Sequence, residues 1–144
     1  MNHFVVGALT AFALLPAAAF ADDAPPSPTG HLKLELNALQ PVDKACRVTF
    51  LATNGLAASL DKATFELAVF GTDSAISRVV SADFKGLTTG KTKVLQFDLK
   101  DLGCDGIGRV LVNDVTACGG PGIAPGACLA GLETSTRTRV TFGQ

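Results

Sequence analysis

The chain contains no tryptophan and no tyrosine, and its one methionine is the first residue. Proteins that grip single-stranded nucleic acid commonly stack bases on such rings, so that platform is missing. A basic face is missing too: 12 Lys and Arg are offset by 13 Asp and Glu, and both signs are dispersed along the chain. Nucleic acid is therefore not an expected partner. Histidine is nearly absent, with only His3 and His31. A Ser-His-Asp or Cys-His arrangement would have to run through His31. Beyond Met1 and one histidine, thiolates are the only soft metal ligands, and the cysteines contain no Cys-x-x-Cys pair. Paired carboxylates for glycoside hydrolysis would need a cleft, usually lined with aromatic rings for the sugar. The six phenylalanines after residue 21 are needed on inward faces. No catalytic residue, metal ligand or cofactor is assigned, and the protein is not expected to be an enzyme.

Long apolar runs are also scarce. The longest, residues 4–15, is followed by Pro16 and falls short of the roughly 20 residues that span a bilayer. Its surroundings explain it better. After Pro16 comes Ala17-Ala18-Ala19-Phe20-Ala21 and then Asp22-Asp23, the layout of a secretory signal peptide. Ala19 and Ala21 stand at the two positions a signal peptidase requires to be small, so cleavage is expected after Ala21. The n-region has no Lys or Arg, leaving its positive charge to the Met1 amine and His3. No cysteine precedes Cys46, so no lipid-modified cysteine is expected at this site. The organisation read from the chain is a signal peptide at 1–21, a proline-rich flexible tail at 22–30, and one domain at 31–144, with no membrane attachment after cleavage. Periplasm and external medium both remain open as destinations.

In an exported chain, four cysteines read first as two disulfides, because oxidising compartments make and keep them. Cys46, Cys104, Cys118 and Cys128 allow three connectivities. The favoured one is Cys46–Cys104 with Cys118–Cys128. The second pair brackets the Gly- and Pro-rich stretch 119–127, which needs a clamp.

What the domain has in quantity is short alternation of apolar and polar residues, the period of strands. Leu32, Leu34 and Leu36 open a first strand that Pro41 is expected to end. Further strands are read at 46–53, 63–70, 76–84, 94–99, 107–117 and 132–142. The apolar run of 107–117 suggests a central strand covered on both faces. Asn54-Gly55 is a turn signal, and Gly103, Gly106 and Gly108 read as a tight turn or bulge beside Cys104. Seven short strands with turns between them imply an all-β, immunoglobulin-like antiparallel β-sandwich, stapled by disulfides. A Cys46–Cys104 bridge would either join the sheets or tie a loop to one of them.

Asn54, Leu60-Asp61, the run Phe65-Glu66-Leu67-Ala68-Val69-Phe70, Asp73 and Leu87-Thr88-Thr89-Gly90-Lys91-Thr92 form a series of motifs. This series resembles bacterial extracytoplasmic sandwich modules of the FxLYD type. Phe70-Gly71 stands here in place of the Tyr-Asp pair for which those modules are named. Residues 104–114 resemble a segment of small uncharacterised exported bacterial proteins. The resemblance implies a sandwich and carries no activity or site residue.

Two regions are left with functional promise. Asp98, Asp101, Asp105 and Asp114 surround one strand-loop-strand junction, and hard oxygen ligands suit calcium. The glycines and prolines of 119–127 favour an exposed loop whose bridged base limits the entropy lost on docking. The expected function is non-enzymatic protein contact in the bacterial cell envelope, through a sheet edge or this loop. The alternative is a small-ligand or calcium-binding module using residues 98–114. The identity of an envelope partner and the oligomeric state are open.

Overall fold

Alternating side chains must place one row against another sheet, and the computed structural model, which describes residues 30–144, shows where each row goes. Eight strands form: β1 (Leu32–Val42), β2 (Ala45–Asn54), β3 (Lys62–Gly71), β4 (Ile76–Asp83), β5 (Thr92–Lys100), β6 (Ile107–Gly119), β7 (Glu133–Thr136) and β8 (Thr141–Gly143). They make two four-stranded sheets, ordered β5-β2-β1-β7 and β4-β3-β6-β8. The result is a disulfide-stapled β-sandwich. Its first six strands follow an immunoglobulin-type key, with β4 in the place of the extra strand of variable domains. The proposed signal peptide and most of the tail lie outside the described residues.

The inner face of the first sheet carries Leu32, Leu34, Leu36, Val48, Phe50 and Leu99, all buried; that of the second carries Phe65, Leu67, Val69, Ala82, Val110 and Val112. Phenylalanine supplies much of the volume between them. Phe50 stacks on Phe97 at 6.0 Å and meets Phe142 edge-on at 5.4 Å, while Phe65 meets Phe84 edge-on at 6.0 Å. Each such pair adds about 1 kcal/mol to the burial of its area. The sixth ring departs from the expected inward placement. Phe70 lies opposite Arg109 and Ile76 on the outer face of the second sheet.

Four differences from the sequence reading have physical causes. Pro41 does not end β1, because it pairs with Cys46 beyond the stretch that β7 covers, Lys33 to Leu36. With that flank unpartnered, its missing N–H costs nothing. The strand turns instead at Asp43, whose φ of 51° makes the tight reversal to β2. Second, β6 is central but not covered on both faces. Thr116, Asn113 and Gly108 each stand as an extra residue against β3, and every such bulge resets the alternation. Inward residues at Ile107, Val110, Val112, Val115 and Cys118 therefore read as a nearly continuous apolar run.

Third, the strand expected over 132–142 is two. β7 pairs with β1 and β8 with β6, both in parallel, so the sandwich is not wholly antiparallel. At the corner between them, threonine hydroxyls replace ladder partners: Thr136 Oγ1 accepts from the Thr138 amide at 3.0 Å, and Thr138 Oγ1 accepts from the Val140 amide at 3.1 Å. Fourth, Asn54-Gly55 starts a crossing between sheets and is buried. The Asn54 carboxamide donates to the carbonyls of Ala58 (3.0 Å) and Leu87 (2.8 Å) and accepts from the Leu56 amide at 2.9 Å. One side chain thus ties together the β2–β3 and β4–β5 crossings.

Both disulfides have the favoured pairing. Cys46 of β2 is bound to Cys104, which opens the 3-10 turn leading into β6. The bridge fastens the crossing from the first sheet to the second. Two bridges, with no helix among the described residues long and apolar enough to cross a membrane, are compatible with an oxidising compartment outside the cytoplasm.

Replacing Asn54 with Ala leaves two carbonyls and one amide without their partner, so it should cost about 3 kcal/mol. The urea midpoint should fall with the slope unchanged; a loss under about 1 kcal/mol would contradict the role given to this side chain. Loop-closure entropy orders the disulfides. Removing Cys46–Cys104 should cost roughly 4 kcal/mol and removing Cys118–Cys128 roughly 3 kcal/mol, and the reverse order in paired Cys→Ala variants would refute that account.

Candidate functional site

The stretch between β6 and β7 contains a four-residue pattern twice, Gly120-Pro121-Gly122-Ile123 and Ala124-Pro125-Gly126-Ala127. Proline presets the second position of a type II turn, and glycine permits the positive φ required at the third. Both turns form. The Ile123 amide donates to the Gly120 carbonyl and the Ala127 amide to the Ala124 carbonyl, each at 3.1 Å, with φ of 74° at Gly122 and 82° at Gly126. The expected loop is therefore a pair of consecutive turns, not an open tether.

Three attachments seat it. Cys128 is wholly buried and bonded to Cys118, the Asp61 amide donates to the Gly119 carbonyl, and Ile123 and Ala127 pack on the core. The backbone of Gly120 presses against Ser59 and Leu60, leaving no room for a β-carbon. Pro121, Pro125 and Leu129 face outward, Leu129 with 42% of its surface exposed. Sequence reasoning found the clamp and missed Leu129. The repeated Pro-Gly pair was the available signal for its order.

The sheet edges, the other expected contact surface, are guarded. β7 and β8 have only four and three residues. On the opposite side, β4 points Arg78 and β5 points Lys93 inward, in register with Val69 and Ala52. Arg78 Nη1 donates to the Lys100 carbonyl at 2.7 Å, and Lys93 Nζ to the Phe84 carbonyl at 2.7 Å. Inward charges and short edge strands both discourage the addition of a foreign strand. Arg78 Nε is shut away from solvent without a hydrogen-bond partner among the described residues, a cost in stability for that guard.

The four aspartates of residues 98–114 are not brought together. Asp98 lies on the outer face of the first sheet, opposite Arg47, and Asp114 on the outer face of the second, opposite Glu66. Two packed sheets stand about 10 Å apart, too far for one ion to bridge. Asp105 pairs with Arg139, and Asp114 Oδ1 accepts from the Val115 amide. A shallow hollow of about 260 Å³ does gather Asp43, Asp98 and Asp101, but Lys44 and Lys100 line it as well. Among the described residues, no three His, Cys, Asp or Glu side chains are placed to hold a metal ion. Gly103, Gly106 and Gly108 take the roles expected of them: the Gly106 amide closes a turn on the Gly103 carbonyl, and Gly108 is a bulge. His31 sits half-buried just before β1 against Gly131, its buried Nδ1 without a partner among the described residues.

Arg47 grips Asp98 through Nε and Nη2 at 2.8 and 2.9 Å, and these bonds hold the Asp98 carboxyl below the usual range. The pair stabilises the fold at pH values above the ordinary aspartate range, and that contribution disappears as pH falls through the lowered value. Arg47→Gln should therefore raise the Asp98 titration midpoint, read by NMR of the carboxyl carbon; an unmoved midpoint would show that Arg47 is not the cause.

Comparison with known proteins finds no matching family model, no similar curated protein and no similar solved structure.

Proposed function

We propose that this chain is an exported, non-enzymatic β-sandwich that acts by protein contact in the bacterial cell envelope, with the stretch 120–132 as its contact surface. In this reading residues 1–21 are a signal peptide removed on export to the periplasm or the medium. The observation that carries it is the rigid presentation of Leu129. Two Pro-Gly turns and the Cys118–Cys128 bridge hold an exposed apolar side chain in place. Order bought in advance by covalent and turn constraints lowers the entropy cost of docking, and an apolar anchor of this kind fits a partner's pocket. The guarded edges leave the loop as the favoured surface.

The test uses the mature protein as bait against envelope extract, with Leu129→Asp as the control that keeps both disulfides. Wild type should recover a specific partner, and Leu129→Asp at least about tenfold less, a loss of about 1.4 kcal/mol. Equal recovery by both, or no specific recovery by wild type, would overturn the proposal.

A further inference from the structure

At the end of the sandwich away from the disulfide loop, where β3 ends and β6 begins, a hollow of about 330 Å³ is lined by Phe70, Thr72, Ser74, Gly108, Arg109 and Thr141. Arg109 distinguishes it. Every other arginine is engaged: Arg47 by Asp98, Arg137 by Glu35, Arg139 by Asp105, and Arg78 by the Lys100 carbonyl. Among the described residues Arg109 is the arginine that donates to no carboxylate or carbonyl. Its guanidinium carbon lies 5.7 Å from the centroid of the Phe70 ring, and the two residues are cross-strand partners. A cation held over a ring face uses none of its N–H donors there, so they stay free for another partner.

The surroundings favour a negative guest. Three hydroxyls, from Thr72, Ser74 and Thr141, line the hollow with Arg109, while Asp73 of the same turn spends Oδ1 on the Ala75 amide at 3.0 Å. The bulge at Gly108 brings two backbones together, because a β-carbon there would lie 2.6 Å from the Gly71 carbonyl oxygen. Beside the hollow the surface turns apolar. Ile76, Phe70, Arg109 and Thr141 form one cross-strand row, and Val79, Ala68, Leu111 and Gly143 form the next row on the same outer face. Ile76 is 59% exposed and Val79 49%. A free guanidinium edge pairs bidentately with a carboxylate, and this one has bare aliphatic surface next to it.

We infer that this hollow binds an aliphatic carboxylate, with the carboxylate on Arg109 and the hydrocarbon chain over Ile76 and Val79. The guest is either a free alkanoate or the C-terminus of a peptide ending in aliphatic residues. This site is separate from the loop at the other end, and either can fail without the other.

Amide-resolved NMR titration of the mature domain tests it, reading Gly71, Gly108 and the Arg109 side-chain N–H. Octanoate should bind at least tenfold more tightly than acetate, which lacks the chain, and than octanamide, which lacks the charge. Arg109→Gln should weaken octanoate at least tenfold with the Asn54 resonances unmoved. Should that variant fail to fold, Ile76→Ser serves instead, reducing the preference for octanoate over acetate. N-acetyl-valyl-leucine and its C-terminal amide distinguish the source: tighter binding of the free acid than of octanoate assigns a peptide terminus, and weaker binding assigns a free alkanoate. Equal affinity for octanoate and octanamide, or no shift at Gly71 and Gly108, would overturn the site.

Discussion

The buried carboxamide of Asn54 sets the condition on which both sheets depend. A two-sheet core forms only if the chain crosses between sheets, and each crossing carries backbone groups out of the ladders into a region that water does not reach. Asn54 satisfies three such groups, while its own amide donates to the Lys91 carbonyl and its own carbonyl accepts from the Gly90 amide. Thr89 extends the same network, its hydroxyl donating to the Leu56 carbonyl. With these crossings held, Phe65 and Phe84 can meet and the inner rows can close on each other. The Cys46–Cys104 bridge performs the matching service at the opposite end, where a covalent bond does the fastening.

Seen from that requirement, the edges and the loop have opposite designs. The edges spend stability on refusing contact, through two inward cations on one side and two very short strands on the other. The stretch after β6 does the reverse: it uses a disulfide and two turns to hold exposed prolines and Leu129 in a set position. The aspartates of 98–114 show why closeness in sequence is a poor guide to a site in a sandwich. The connection from β5 to β6 changes sheets, so residues on either side of it come to face opposite solvents.

Much of this fold was legible in the residues. Alternation at Leu32, Leu34 and Leu36, at Val48 and Phe50, and at Phe65, Leu67 and Val69 located the inner rows, because burial of one strand face imposes a period of two on any sandwich. The disulfide partners followed from which loop needed a clamp. The misreading at 132–142 has an equally physical origin. The chain changes sheets at the corner of the sandwich, where both sheets face the same core, so Leu132, Val140 and Phe142 still point inward and the period runs on unbroken.

The sequence by itself determined that this chain makes strands and which side of most of them is buried. Those are local properties, decided by the hydrophobicity and backbone preference of a few neighbouring residues. Only the tertiary structure decided that β7 and β8 belong to different sheets, that Asn54 serves as a buried tie and that Arg109 lies over Phe70 with no carboxylate or carbonyl partner among the described residues. Each of these depends on residues brought together from distant parts of the chain, and such meetings are selected by the closure of the whole core, which no single segment encodes.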